Sequence, residues 1–362
     1  MGRLRSLTLL PLTAYPMTHA PYKHKHRENL GMVKRQRVRG RLLYLLSAWI
    51  VMGIGVSACR TAPHEMIAND TDKTKMELTL QDTGQTYPVN TIIETRTGNP
   101  VDYDTMLKDL VGVRIVFIGE IHNQPSHHEI QARLIESLHQ RHSGLTVGME
   151  MFDHRYDPVL ALWSRGEVER DDFIARSHWY VRDSGWGFPF DLYAPVFDCV
   201  RDNHLRLVGL NVPFWIPPKI SASGLAYLLP DERLLVAESV DLSNAAHRAY
   251  VEDVFNNSHA HHGMSFEHFY EAQCAWEDTM ASSIARKLGQ DLMVVIIGNG
   301  HIVRRFGVPD RTFARNGQPS RTVYLAPVGT TVALDYADYI WVTPWEDPHE
   351  RSADLKVRTG VK

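Results

Sequence analysis

Cysteine is scarce: the chain has three in 362 residues, at positions 59, 199 and 274. No Cys-x-x-Cys occurs, which excludes a zinc ribbon and a thioredoxin-type redox site. There is no Gly-x-Ser-x-Gly elbow and no glycine-rich phosphate loop ending in lysine, so serine hydrolases and nucleotide enzymes are set aside. His128-Glu129 is followed by Ala132 where a zincin carries its second histidine, and that protease class goes too. Internal repeats and low-complexity tracts are absent. Basic residues are outnumbered by acids outside the leader: residues 1–58 hold ten Lys or Arg against Glu28 alone, and removing that +9 from the formal −3 leaves −12 on the rest. A field of that sign repels polyanions, so nucleic acid is not an expected partner.

What is present begins with a leader. Met32 to Arg41 is strongly basic, and Leu42 to Ala58 follows without a charge and ends in small residues. This is the layout of a secretory signal, with residues 1–31 as an upstream extension before a better start at Met32. Val56-Ser57-Ala58-Cys59 matches a lipobox, which predicts cleavage before Cys59 and lipid attachment to its thiol. An uncleaved anchor is the alternative. Arg60 rather than Asp follows the cysteine, which predicts an outer-membrane lipoprotein. Residues 59–84 are polar and read as the lipidated tether. Cys199 and Cys274 fall in helical pattern, where burial as small hydrophobes or a disulfide are both open.

The body then alternates. Apolar runs at Arg114–Ile118, Thr146–Met149, Arg206–Leu210, Leu292–Ile297 and Thr322–Ala326 read as strands. Helical pattern fills the intervals, with Ser126-x-x-Glu129 as a capping box, Asp157-Pro158 as N-cap and N1, and a long helix from about Ser265 to Leu288. The expectation is an α/β fold over 85–345, a mostly parallel sheet with helices on both faces, and a smaller helical subdomain at about 212–290. Residues 346–362 read as a polar tail.

Polar residues sit where the strands end. Gly119-Glu120-Ile121-His122 leaves the first strand, Glu150 the second, and Gly298-Asn299-Gly300-His301 the fourth. Ligand crevices of open α/β sheets lie at those carboxyl ends, so Glu120, His122, Glu150 and His301 are expected to converge. Two imidazoles and two carboxylates suit a divalent metal held by His122, Glu150 and His301, or a general base with an electrophile. The bland alternative makes each glycine a turn and each neighbour a helix cap.

This ordered set, with His128 in the following helix and Gly148-Met149-Glu150-Met151-Phe152, resembles the ChaN-like iron-regulated lipoproteins of the haem-binding uptake and Tiki superfamily. The resemblance runs from roughly Ile92 to Ala326. It implies haem binding and a role in iron acquisition at the outer membrane. Tiki relatives use similar motifs in a metal-dependent protease and erythromycin esterase relatives in hydrolysis, so a metal-dependent hydrolase is the alternative function.

Haem needs an aromatic cleft and an axial side chain. Trp179-Tyr180, Trp186 to Phe190 and Tyr193 offer such a surface. The resemblance suggests tyrosine ligation, with Tyr193 preferred and Tyr180 next, and Trp186 in the wall. The same aromatics have a plain reading as core. His259-Ala260-His261-His262-Gly263 is a loop in which His262 is the residue favoured for a ligand. Glu277 and Asp278 on the long helix could reach the crevice, with an exposed face as the default. The expected partners are haem, a membrane reached through Cys59, and, as an open question, a second copy of the chain.

Overall fold

The computed structural model describes residues 76–142, 144–181, 185–257 and 263–346. The leader, Cys59, His262 and the tail beyond 346 lie outside the described residues. No helix among those described is long and apolar enough to cross a membrane.

The sheet is built around mostly apolar runs, as strands covered on both faces are. Six strands are parallel: β5 (Ile115–Glu120), β6 (Leu145–Asp153), β7 (Arg206–Asn211), β8 (Leu292–Gly298), β9 (Ser320–Pro327) and β11 (Tyr339–Thr343). An antiparallel pair, β3 (Ile92–Glu94) and β4 (Asn99–Val101), extends one edge. The order is β4-β3-β11-β9-β5-β8-β6-β7. Every residue of β5, β6 and β8 is buried. A second sheet of β1 (Glu77–Leu80), β2 (Thr86–Pro88) and β10 (Thr331–Val332) includes residues that the sequence assigned to the tether. Leu78 and Leu80 are fully buried there, so the folded body starts by 77 and not at 85.

Among the described residues ten helices connect the strands: α1 (Tyr103–Val111), α2 (Pro125–His139), α3 (Asp157–Ser164), α4 (Arg170–Arg176), α5 (Phe190–Asp202), α6 (Ile216–Ser223), α7 (Pro230–Arg233), α8 (Ala245–Asn257), α9 (Phe266–Lys287) and α10 (Val308–Asn316). The fold is therefore α/β and mostly parallel, as the alternation predicts, with α6 to α9 between β7 and β8. Two local signals resolve differently. Ser126 lies inside α2 instead of capping it, because Pro125 already occupies the first turn. The N–H of Ser126 is taken by the Glu346 carboxylate at 2.9 Å, from the far end of the chain. Asp157 is likewise inside α3, and its carboxylate accepts from Gly209 N at 3.0 Å and Lys287 Nζ at 2.5 Å.

The aromatic run is core. Trp163, Phe173, Trp179, Phe190 and Phe197 are at most 1% exposed and pack against one another, with Phe190 stacked on Phe197 at 4.7 Å. Their burial fixes the segment between α4 and α5 over the carboxyl end of β6. Cys199 and Cys274 are free thiols, so no disulfide joins them.

Candidate functional site

Strand order places β5, β8 and β6 side by side, and their ends bring Glu120, His122, Glu150 and His301 together. Glu120 is level with Gly298 in the β5–β8 register. The two leading glycines are required by close approach, not by a turn. A Cβ on Gly119 would lie 2.1 Å from Asn299 Oδ1, and one on Gly298 would lie 3.0 Å from His122 Cε1.

At the β5 end, Glu120 is enclosed by donors. Its Oε1 faces His122 Nδ1 at 2.7 Å and accepts from Tyr193 OH at 2.6 Å, while Oε2 accepts from Gln131 Nε2 at 2.7 Å. His128 Nδ1 stands 3.5 Å from Oε2. Burial pushes this carboxyl up, but the charge on His128 and the hydrogen bonds from His122 and His128 outweigh it and hold it well below the usual range. Nδ1 of His122 being engaged, Nε2 turns to the end of β8. The ring is covered by the edge of Trp186 at 4.7 Å and by Phe188 at 5.4 Å. Beneath, His127 accepts the Ile121 N–H on Nδ1 and meets Thr343 Oγ1 through Nε2. Burial, with the charge of neighbouring His128 adding to it, pushes His127 down to about 3.

At the β8 end, His301 is held from α9. Its Nδ1 lies 3.2 Å from Glu277 Oε1 and its Nε2 3.5 Å from Glu150 Oε1. Behind Glu277 the polar chain continues through His247 Nε2 at 3.1 Å and Arg311 Nε at 3.4 Å. Arg311 also donates to Asp278 and, at 3.2 Å, to His247 Nδ1. Arginine only donates, so this nitrogen of His247 accepts and Nε2 is the donor toward Glu277. Burial raises the Glu277 carboxyl, and His247, His301 and Arg311 reverse that to well below normal. Glu277 and Asp278 are thus fully buried, not on an exposed face. Charged residues inside the stretch Cys274 to Ala281, otherwise apolar but for Thr279, were the signal for it. His247 and Arg311 carried no such signal.

Between the two ends sits Glu150, 0% exposed. Its Oε2 accepts the Gly298 N–H at 2.7 Å, while Oε1 faces His301 Nε2 at 3.5 Å. The metal expected on His122, Glu150 and His301 does not fit. Among the described residues no three His, Cys, Asp or Glu side chains form a group able to hold an ion.

The haem candidates separate sharply. Tyr193, preferred from sequence, is 0% exposed and spends its hydroxyl on Glu120; burial and that carboxylate push its phenol well above 10. It belongs to the Glu120 network, and a phenolate at this position is disfavoured, so it is not the open ring the sequence reading expected. Trp186, at 6% exposed, covers His122 instead of forming an open wall. Tyr180 is 55% exposed beside Val181 at 49%. Its backbone is pinned by the neighbouring Trp179, whose Nε1 donates to Phe188 O at 2.7 Å, and its own oxygen accepts from Phe190 N at 2.8 Å.

A family model described as haem-binding uptake, Tiki superfamily, ChaN matches residues 106–312. Among solved structures, one titled cofacial heme binding to ChaN of Campylobacter jejuni aligns with a TM-score of 0.57 at 16% identity, covering 69% of this chain and 95% of that one. A mutant of the erythromycin esterase EreC, in its open conformation, aligns at 0.41 and 14%, covering 66% and 76%. The type III effector HopBA1 aligns at 0.36 and 11%, covering 67% and 93%. The first supports the fold, and the other two are too distant to bear on function. No protein of curated function matches the chain.

Proposed function

Since the chain belongs to the family described as haem-binding uptake, Tiki superfamily, ChaN, we propose that it is a haem-binding protein of iron acquisition, carried on the outer membrane by a lipid on Cys59. The haem is cargo, and the residue that holds it is Tyr180. The observation that carries the assignment is exposure: of the two tyrosines suggested by sequence, Tyr180 alone presents its ring to solvent, next to exposed Val181. An iron porphyrin needs an apolar face and one axial donor, and a tyrosine on a turn braced by buried Trp179 meets both needs without reordering the core. Tyr193 would have to leave Glu120 and reverse a strongly disfavoured ionisation.

Ferric haem titrated into the full-length protein in detergent tests this. A saturable Soret shift is expected, and Tyr180→Phe should weaken binding by at least about tenfold, roughly 1.4 kcal/mol, because the ring stays and the ligating oxygen goes. Tyr193→Phe should leave the spectrum unchanged. Absence of saturable binding by the wild type would overturn the haem reading. A spectrum altered by Tyr193→Phe and not by Tyr180→Phe would return the ligand to the buried position.

A further inference from the structure

The large apolar side chains left exposed are not scattered. Among the described residues Tyr227, Leu229 and Leu234, at 73%, 60% and 83% exposed, fall within one stretch around α7. That stretch is braced from α9 at both ends, with Leu225 N donating to Glu271 Oε2 at 2.7 Å and Ala237 N to Thr279 Oγ1 at 3.0 Å. Two of its three charges are spent internally: Glu232 pairs with Lys219 at 2.5 Å, and the Arg233 guanidinium donates to the carbonyls of Val236, Ala237 and Glu238. Asp231 stays exposed. The stretch also stands beyond the carboxyl edge of the sheet. α9 closes on the amino edge, where its Lys287 O accepts from Arg206 at the start of β7, while its Glu277 reaches His301 at the carboxyl edge. Glu271 lies a further turn and a half outward, about 9 Å at the helical rise. The chain enters the fold at that edge too. Met76 is 73% exposed, and the O of neighbouring Glu77 accepts from Gly329 N, just past the end of β9.

We propose that this pole of the domain rests on a bilayer, with Tyr227, Leu229 and Leu234 seated in the lipid interface. The proposal depends on the lipid at Cys59. Sixteen residues separate Cys59 from Met76, a contour of at most about 60 Å, so a lipid there keeps the edge that carries Met76 beside the membrane. Apolar tips on a braced turn meet lipid with little further ordering. A tyrosine among leucines suits the interface, where the ring is buried and the hydroxyl stays wet. Because the anchor already concentrates the domain at the surface, a patch too small to bind vesicles from solution is held there once tethered. Charge selects the lipid. The chain beyond residue 58 carries −12, so anionic headgroups are repelled and a zwitterionic surface fits.

The test uses the full chain purified from membranes, with Cys199→Ser to remove a half-buried thiol and a fluorophore on Leu229→Cys. A second preparation carries the fluorophore on Gln290→Cys, between α9 and β8 at the amino edge. Both positions are exposed, so neither label disturbs the core. Each is reconstituted in vesicles of phosphatidylethanolamine and brominated phosphatidylcholine, where flotation reads the anchor and bromine quenching reads the contact. Both preparations are expected to float, with quenching at position 229 and none at 290. Adding Tyr227→Ser and Leu234→Ser should weaken the contact about tenfold or more. Flotation without quenching at 229 overturns the membrane contact and leaves the anchor standing, and dimers crosslinked through 229 in that case make a second copy the occupant. Equal quenching at both positions overturns it as well. Absence of flotation overturns the anchor and the proposal with it.

Discussion

The two Gly-x-x-His strand ends look alike in sequence and are built differently. At β5 the carboxylate that holds the histidine lies within the same four residues, Glu120 beside His122. At β8 the equivalent position is Asn299, whose side chain donates to Leu325 O, and the carboxylate comes from Glu277, 24 positions away on α9. That carboxylate in turn needs His247 on α8 and Arg311 on α10. The lesson is that a histidine's partner is set by which element packs over the strand end: one motif carries its own carboxylate, held in turn by Gln131, His128 and Tyr193, while its twin draws its carboxylate and that carboxylate's partners from three helices.

The sharpest way to break the comparison is to remove the remote support. Arg311→Met removes the arginine that Glu277 and Asp278 share, leaving Asp278 to Arg315 and Glu277 to His247 and His301, and should cost about 3–5 kcal/mol in denaturant unfolding. Glu120→Gln keeps an acceptor for its donors and should cost about 1–3 kcal/mol. Equal losses would mean the β8 end is no more dependent on distant groups than the β5 end.

The glycines give a smaller effect. Gly119→Ala drives a methyl toward Asn299, which is pinned to Leu325, and toward Ile302 Cδ1 at 2.7 Å. A cost of about 1–3 kcal/mol is expected. Gly298→Ala meets the edge of the His122 ring at 3.0 Å and Glu150 Oε2 at an ordinary 3.5 Å and should cost less, measured the same way. The reverse order would show that the β8 glycine is the tighter contact.

The smallest effect is in acid, and it belongs to the β5 end. His127 is near 6.5 when unfolded and about 3 when folded, so the unfolded chain binds the extra proton. Its contribution is complete above pH 6.5 and is lost as pH falls toward 3, at up to about 1.4 kcal/mol per unit. Between pH 6.5 and 5.5 a loss of about 1 kcal/mol is expected, and His127→Gln should flatten it. His128, raised in the folded state despite its burial, has the opposite sign and loses its contribution as pH rises through its folded value. An acid arm unchanged in the variant would assign the sensitivity to other groups.

Much of this site was legible before any coordinate. The apolar runs of β5, β6 and β8 have period one because both faces are covered, and that pattern survives in a single sequence. Glu120, His122, Glu150 and His301 follow directly as the residues at the ends of those runs. The burial of Tyr193 was missed for a nameable reason: it shares an aromatic-rich segment with Tyr180, and composition does not say which ring faces inward. The reading of Ser126 as a cap failed because Pro125 already occupies the first helical turn.

Local sequence therefore determined which strands form, where they end and which four polar side chains stand there, since hydrophobic period and chain breaks act over a few residues. The tertiary structure alone decided that Glu277, His247 and Arg311 stand behind His301, that Glu346 caps α2, and that Tyr180 rather than Tyr193 is open to a ligand. Each of those depends on how elements distant in the chain pack, and buried charge takes whatever partner that packing brings within reach.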